Sequence, residues 1–265
     1  MVLSLGACQS PITNGALPET MSPIAQESYS ANILSLSDVI RKSPDDPSPY
    51  NMRGTVYGEA GEFDKAIADF TRAVQIDPSY FQAFSNRALI YTKRKQYDKA
   101  LADLNQALAL SPEYPVAIFG RAMIYLAQNK TALALADFNQ TLEIAPEHAG
   151  AYYHRGDIYL ADGRNDLALA DFNSAVDLQP DAAPPYFGRG MTLLKMQRFS
   201  EAYDSFHMAA GRKSDFYLAW YYRGVAAEKQ NAAKEAAQAY TRALSIKPNY
   251  QPALDGLARV KRAKS

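Results

Sequence analysis

Tyr50-Asn51-Met52-Arg53-Gly54-Thr55-Val56-Tyr57, followed by Asp64-Lys65-Ala66-Ile67-Ala68-Asp69-Phe70 and closed by Pro78, returns 34 residues later as Phe84-Ser85-Asn86-Arg87-Ala88-Leu89-Ile90-Tyr91, Asp98-Lys99-Ala100-Leu101-Ala102-Asp103-Leu104 and Pro112. The same interval separates Arg53, Arg87, Arg121, Arg155, Arg189 and Arg223, and likewise Ala66, Ala100, Ala134, Ala168, Ala202 and Ala236. Prolines keep the beat at Pro44, Pro78, Pro112, Pro146, Pro180 and Pro248, with Ser214 in the remaining place. A period of this length is one structural unit copied in tandem.

Each copy reads as two helices. Tyr50, Arg53, Gly54 and Tyr57 have the i, i+3, i+4, i+7 spacing of one helical face, which predicts a helix A over 48–60. Gly61 follows as a left-handed terminator. Asp64 is expected to cap a helix B over 64–76, whose apolar face carries Ala66, Ile67, Phe70, Ala73 and Val74, and Pro78 ends the unit. In later copies Asn129, Gly163 and Asn231 end A helices, and Asp98, Asp166 and Ser200 start B helices. Small residues at 54, 88, 122, 156, 190 and 224 let the two helices approach closely.

These residues resemble the tetratricopeptide repeat family, whose pattern is W-x2-L-G-x2-Y, then A-x3-F, then P. The units are 47–80, 81–114, 115–148, 149–182, 183–216 and 217–250. The resemblance implies an all-α, right-handed α-solenoid of six tandem helix-turn-helix units. Repeats of this kind stack continuously, so one domain is expected. Both ends need covering. Ile33, Leu36, Val39 and Ile40 predict an N-terminal capping helix over 26–42, a solitary B-type helix with Leu36 in register with Phe70. Residues 251–265, with Leu254, Leu257 and Ala258 on one face, predict a C-terminal capping helix.

The family pattern has leucine where the six arginines stand. Each arginine is expected to lay its stem in the leucine's place and to need a counter-charge. Asp69, Asp103, Asp137 and Asp171 recur in step, which predicts a structural ladder of Arg–Asp pairs, within a repeat or between neighbours. Units five and six have Ser205 and Ala239 instead. There Arg189 would reach Asp171 only if pairing crosses repeats, and Arg223 would depend on Glu201 or Glu235.

In the family, A helices line a concave groove. The groove-facing positions are polar in units one and two. In units three to six they include Phe119, Met123, Tyr153, His154, Phe187, Met191, Tyr221 and Tyr222. Methionine and aromatic side chains suit peptide capture, being adaptable or rigid anchors of large contact area, although the same residues could pack against the next A helix. A co-chaperone-type carboxylate clamp is not expected, because no groove lysine stands near Asn86.

Lys+Arg and Asp+Glu both number 28, so nothing suggests the basic footprint of a nucleic-acid binder. His148, His154 and His207 have no metal-ligand spacing, and no catalytic or cofactor motif occurs. Neither enzyme activity nor a cofactor is expected. Leu5-Gly6-Ala7-Cys8 resembles a bacterial lipoprotein box with lipidation at Cys8, and 9–25, rich in Pro, Ser and Thr, reads as a flexible tether. The expected protein is therefore a scaffold binding a partner peptide, lipid-anchored in the cell envelope and facing the periplasm. The alternatives are a soluble cytosolic adaptor and a self-associating solenoid, and palmitate labelling of Cys8 in cells separates the anchored protein from the soluble one.

Overall fold

A computed structural model describes residues 23–262. The box around Cys8 and residues 9–22 of the expected tether lie outside the described residues. Those described form fourteen α-helices and no strand. In order they are α1 (Pro23–Lys42), α2 (Pro47–Glu59), α3 (Phe63–Ile76), α4 (Phe81–Lys93), α5 (Tyr97–Leu110), α6 (Pro115–Ala127), α7 (Thr131–Ile144), α8 (Ala149–Ala161), α9 (Asn165–Leu178), α10 (Ala183–Lys195), α11 (Phe199–Arg212), α12 (Tyr217–Lys229), α13 (Ala233–Ile246) and α14 (Gln251–Arg262). The chain divides into two compact units, the first running to Ala117 and the second from Ile118, in place of the single domain expected. In a repeat array each hairpin packs only on its neighbours, so no central core holds the whole chain in one body.

In the first unit α2 pairs with α3 and α4 with α5, while α1 packs on α2 and α3 on α4. α1 begins at Pro23, inside the stretch expected to be tether; proline is tolerated in a first helical turn, where its missing N–H has no partner to lose. It behaves as a B-type helix: Ser37 accepts from Arg53 Nη1 at 2.8 Å, just as Thr71 of α3 accepts from Arg87 Nη1 at 2.9 Å. In the second unit α8/α9, α10/α11 and α12/α13 are the hairpins, α7 packs on α8, and successive A-type helices touch at α8–α10, α10–α12 and α12–α14.

The turns inside the hairpins share one device. Gly61 and Gly163 adopt positive φ, and so do Asn129 and Asn231. Lys95 (φ 58°) and Gln197 (φ 60°) do so as well, at equivalent positions, where nothing in their side chains favours the left-handed region. Closure of the hairpin therefore sets the conformation there. The B helices start one residue earlier than expected, and Asp64 does not cap α3. Residue 62 precedes the helix without a side-chain cap, and the Asp64 carboxylate instead pairs with Arg94 at 2.7 Å. The backbone of the turn satisfies the entering amides itself, as Glu62 N–H donates to Tyr57 O at 2.8 Å.

α14 differs from its expected face. Ala253, Gly256 and Val260 are buried, whereas Leu254 is 40% exposed. The cause is the Tyr240 ring of α13, which lies against Gly256 and turns that side of α14 inward. α14 thus packs as the A helix of a seventh, incomplete repeat.

Candidate functional site

The site residues predicted from the sequence stand on A helices of the second unit, and their burial follows from position within the repeat. At the sixth place the side chain meets the large B-helix ring of the preceding repeat. His154 stacks on Phe138 (centroids 5.9 Å apart, 13° between planes) and Tyr222 on Phe206 (5.7 Å, 25°). Glycine fills the same place in α10 and α14. A Cβ on Gly188 would lie 2.4 Å from the Phe172 ring, and one on Gly256 2.6 Å from Tyr240.

At the fifth place the side chain sits beside the B-helix ring of its own repeat. The centroid distances are 5.8 Å for Phe119–Phe138, 6.1 Å for Tyr153–Phe172, 5.6 Å for Phe187–Phe206 and 5.8 Å for Tyr221–Tyr240. Phe119 is covered further by the His148 ring at 4.4 Å. Phe119 and His154 are accordingly buried, each 9% exposed, and have little surface to offer a partner. Met123, Tyr153, Phe187, Met191, Tyr221 and Tyr222 are half-buried, each packed on the core beneath and open on one side.

The sequence reading missed a row of aromatic groups at the last place of five of the six units, broken by Ala182 in unit four. Phe216 packs 4.9 Å from Phe187, and Tyr250 meets Tyr221 edge-on at 5.2 Å. With Tyr222 5.7 Å from Phe187 and 4.9 Å from Tyr221, these rings form one continuous aromatic surface over α10, α12 and the approach to α14. The signal was present in the sequence: Tyr80, Tyr114, His148, Phe216 and Tyr250 keep the 34-residue beat.

Asp157, also overlooked, is the one carboxylate in the ninth place of a unit, between Met123 and Met191 in the neighbouring copies. Burial pushes its pKa up to about 6, opposed by a hydrogen bond donated from the Tyr153 hydroxyl. Nearby His154 is driven down to about 4, first by burial and then by His148. The two act in opposite senses. His154, depressed below its unfolded value of 6.5, contributes stability present above pH 6.5 and lost as pH falls towards 4. Asp157, raised above 3.8, contributes stability present at low pH and lost as pH rises through 6. Relative to wild type, Asp157→Asn is expected to lose stability on acidification from pH 6.5 to 4, and His154→Phe to gain it. Melting midpoints of the three proteins across that range check both signs, and parallel curves would refute them.

The arginine ladder is formed within repeats. Arg53–Asp69, Arg87–Asp103, Arg121–Asp137 and Arg155–Asp171 are two-pronged, Nε and Nη2 each donating to one carboxylate oxygen at 2.7–2.9 Å. Hydrogen bonding to aspartate raises each of these four guanidinium pKa values against the opposing effect of burial. Arg189 does not reach Asp171, which is taken by Arg155; its Nε donates to Ser205 Oγ at 3.1 Å. Arg223 pairs with neither Glu201 nor Glu235. It lies over the rings of Tyr203 (4.5 Å) and Trp220 (5.3 Å) and donates to the Tyr203 hydroxyl at 2.5 Å, so aromatic faces replace the carboxylate.

Among the described residues no cluster of His, Cys, Asp or Glu is placed to hold a metal ion, and no helix is long and apolar enough to cross a membrane.

A model of the tetratricopeptide repeat family matches residues 51–115, 119–183 and 187–251. A search of curated proteins finds no match. Among solved structures, similarity is found to YrrB, described as a TPR protein with an unusual peptide-binding site, at 23% identity and TM-score 0.63, covering 70% of this chain and 96% of that one. It extends to pilF of Pseudomonas aeruginosa at 16% identity and TM-score 0.72, covering 80% and 97%. A tetratricopeptide repeat protein from Parabacteroides merdae matches at 22% identity and TM-score 0.59, covering 90% and 94%. At these identities the likeness is one of fold.

Proposed function

Since this chain belongs to the tetratricopeptide repeat family, whose members are scaffolds for protein–protein interaction, we propose that it captures a peptide segment of a partner protein on the A-helix surface of units three to six. The observation that carries this reading is the continuous run of half-buried Phe187, Tyr222, Tyr221 and Tyr250 rings, flanked by Met191. Each ring is held by packing on one side, so little side-chain entropy remains to be lost when its open side is covered. Aromatic anchors of this sort carry most of the energy of peptide recognition. The peptide-binding site in the description of YrrB supports the reading by analogy of fold.

Selection from a displayed peptide library tests it. Peptides recovered on the wild-type protein are expected to lose at least tenfold in affinity for Met191→Glu and Tyr221→Ala, with melting midpoints near that of wild type. Peptides that bind both variants unchanged would place the contact elsewhere. The scaffold carries out no catalysis in this reading. Its proposed location is the bacterial envelope, anchored through a lipid on Cys8 and facing the periplasm. The support is the Leu5-Gly6-Ala7-Cys8 box, and absence of palmitate label on Cys8 in cells would refute it.

A further inference from the structure

The ladder breaks at two arginines that keep their place and lose their acid: the Tyr203 and Trp220 rings take up Arg223, whereas Arg189 lines a cavity. In units one to four the carboxylate takes both Nε and Nη2 of the guanidinium. At Arg189 the aspartate is replaced by Ser205, which accepts from Nε alone at 3.1 Å and turns its own hydroxyl to Glu201 O at 2.8 Å. In units one, two and four Nη1 also has an acceptor, one repeat-step back on the preceding helix: Ser37, Thr71 and Asn139. The corresponding residue for Arg189 is Asn173, which makes no such bond and lines a cavity instead.

That cavity, of about 260 Å³, is lined from α9, α10 and α11, and its lining includes both Arg189 and Ser205, the residue that stands in the aspartate's place in the repeat. Arg189, Ser205 and Asn173 line it with polar groups, and Leu169 and Leu193 supply an apolar wall. The neighbouring charges do not fill it. Arg198 and Glu201 are closed on each other by two hydrogen bonds of 2.7 and 2.6 Å. Asp204 stands exposed at the rim, in no ion pair, and its charge is screened by solvent.

We propose that this cavity is a binding site for an exogenous carboxylate, which takes the place that Asp69, Asp103, Asp137 and Asp171 occupy in the other repeats. Nη1 and Nη2 of Arg189, which have no acceptor among the described residues, meet the two carboxylate oxygens while Nε stays on Ser205 Oγ, Asn173 offers an amide N–H, and the leucines accept the first methylene groups of the acid. The acid is either a free small carboxylate or an Asp or Glu side chain of another polypeptide. Neither source depends on the aromatic surface proposed above.

Arginine-labelled full-length protein, observed by NMR at its Nε–H groups, tests the site. Sodium acetate is titrated with total ionic strength held constant by chloride, and Arg189→Gln assigns the signal. The wild-type Arg189 signal is expected to shift and saturate. In Ser205→Asp, which rebuilds the residue pattern of the first four repeats and is checked for folding by its helical circular dichroism, saturation is expected to vanish because the site is filled from within. A second titration uses a short Gly/Ser peptide with one central Glu. Binding tenfold tighter than acetate identifies a polypeptide side chain as the source; equal binding identifies the free acid. A wild-type signal that never saturates, or a Ser205→Asp protein that responds as wild type does, would overturn the proposal.

Discussion

Asp171→Ala is expected to destabilise the second unit by about 3 kcal/mol and to lower its unfolding midpoint by roughly 6–12 °C. Asp171 is 4% exposed, and its two oxygens receive Arg155 Nε at 2.8 Å and Nη2 at 2.7 Å. Truncation leaves the guanidinium, with 19% side-chain exposure, facing an apolar methyl group. The large term is the stranded charge, not the lost attraction, since a buried pair exchanged whole for apolar residues is often close to neutral. The double variant Arg155→Leu/Asp171→Ala, which restores the family's leucine, is therefore expected to recover most of the loss. Asp171→Asn, which keeps one acceptor, should fall between wild type and alanine. Thermal unfolding of the four proteins decides the matter. If the double variant is as unstable as Asp171→Ala, the stranded-charge account fails.

Gly188→Val should cost a similar amount, about 3 kcal/mol, by overpacking. A Cβ at 188 would lie 2.4 Å from Cε1 and 2.5 Å from Cζ of Phe172, inside any real carbon contact. The ring has little room to retreat: Phe172 has no exposed surface, and Gly156 of the neighbouring A helix also stands close to it, a Cβ there coming 3.1 Å from Cε1. Helix propensity alone argues the other way, because glycine inside a helix is worse than most residues. A measured gain in stability for Gly188→Val would show that the helices can part. Combining the variant with Phe172→Leu, which withdraws ring atoms from the clash, should restore part of the stability.

Much of the fold was legible because its information is local and repeated. The i, i+3, i+4 spacing around Tyr50 and Arg53 names a helix face, and the 34-residue interval makes six weak readings into one. The aspartates recurring in step with the arginines announced the ladder, and four pairs stand in the structure. Less of the candidate site was legible. Phe119 and His154 were expected on an open groove, yet each is nearly enclosed by rings from elsewhere in the chain. The last-place aromatics, Phe216 and Tyr250, keep the same beat but fall between helices, and their contacts with Phe187 and Tyr221 exist only in the fold.

Sequence by itself determined that the chain is a tandem array of paired helices, which residues face inward within each pair, and that the first four arginines have aspartates recurring in step with them; the structure decided that those pairs form within repeats and that Arg189 and Arg223 pair with no acid among the described residues. Only the tertiary structure decided which sixth-place side chains lie under a neighbour's ring, which face α14 buries, and that exchanging Asp for Ser beside Arg189 leaves a cavity rather than a new ion pair. The division has a physical reason. Contacts inside a hairpin are set by helical periodicity, which a sequence displays directly. Contacts between hairpins depend on how close one backbone comes to the next, and that distance is set by the bulk of side chains such as Phe172 and Tyr240 against a glycine more than a dozen residues away.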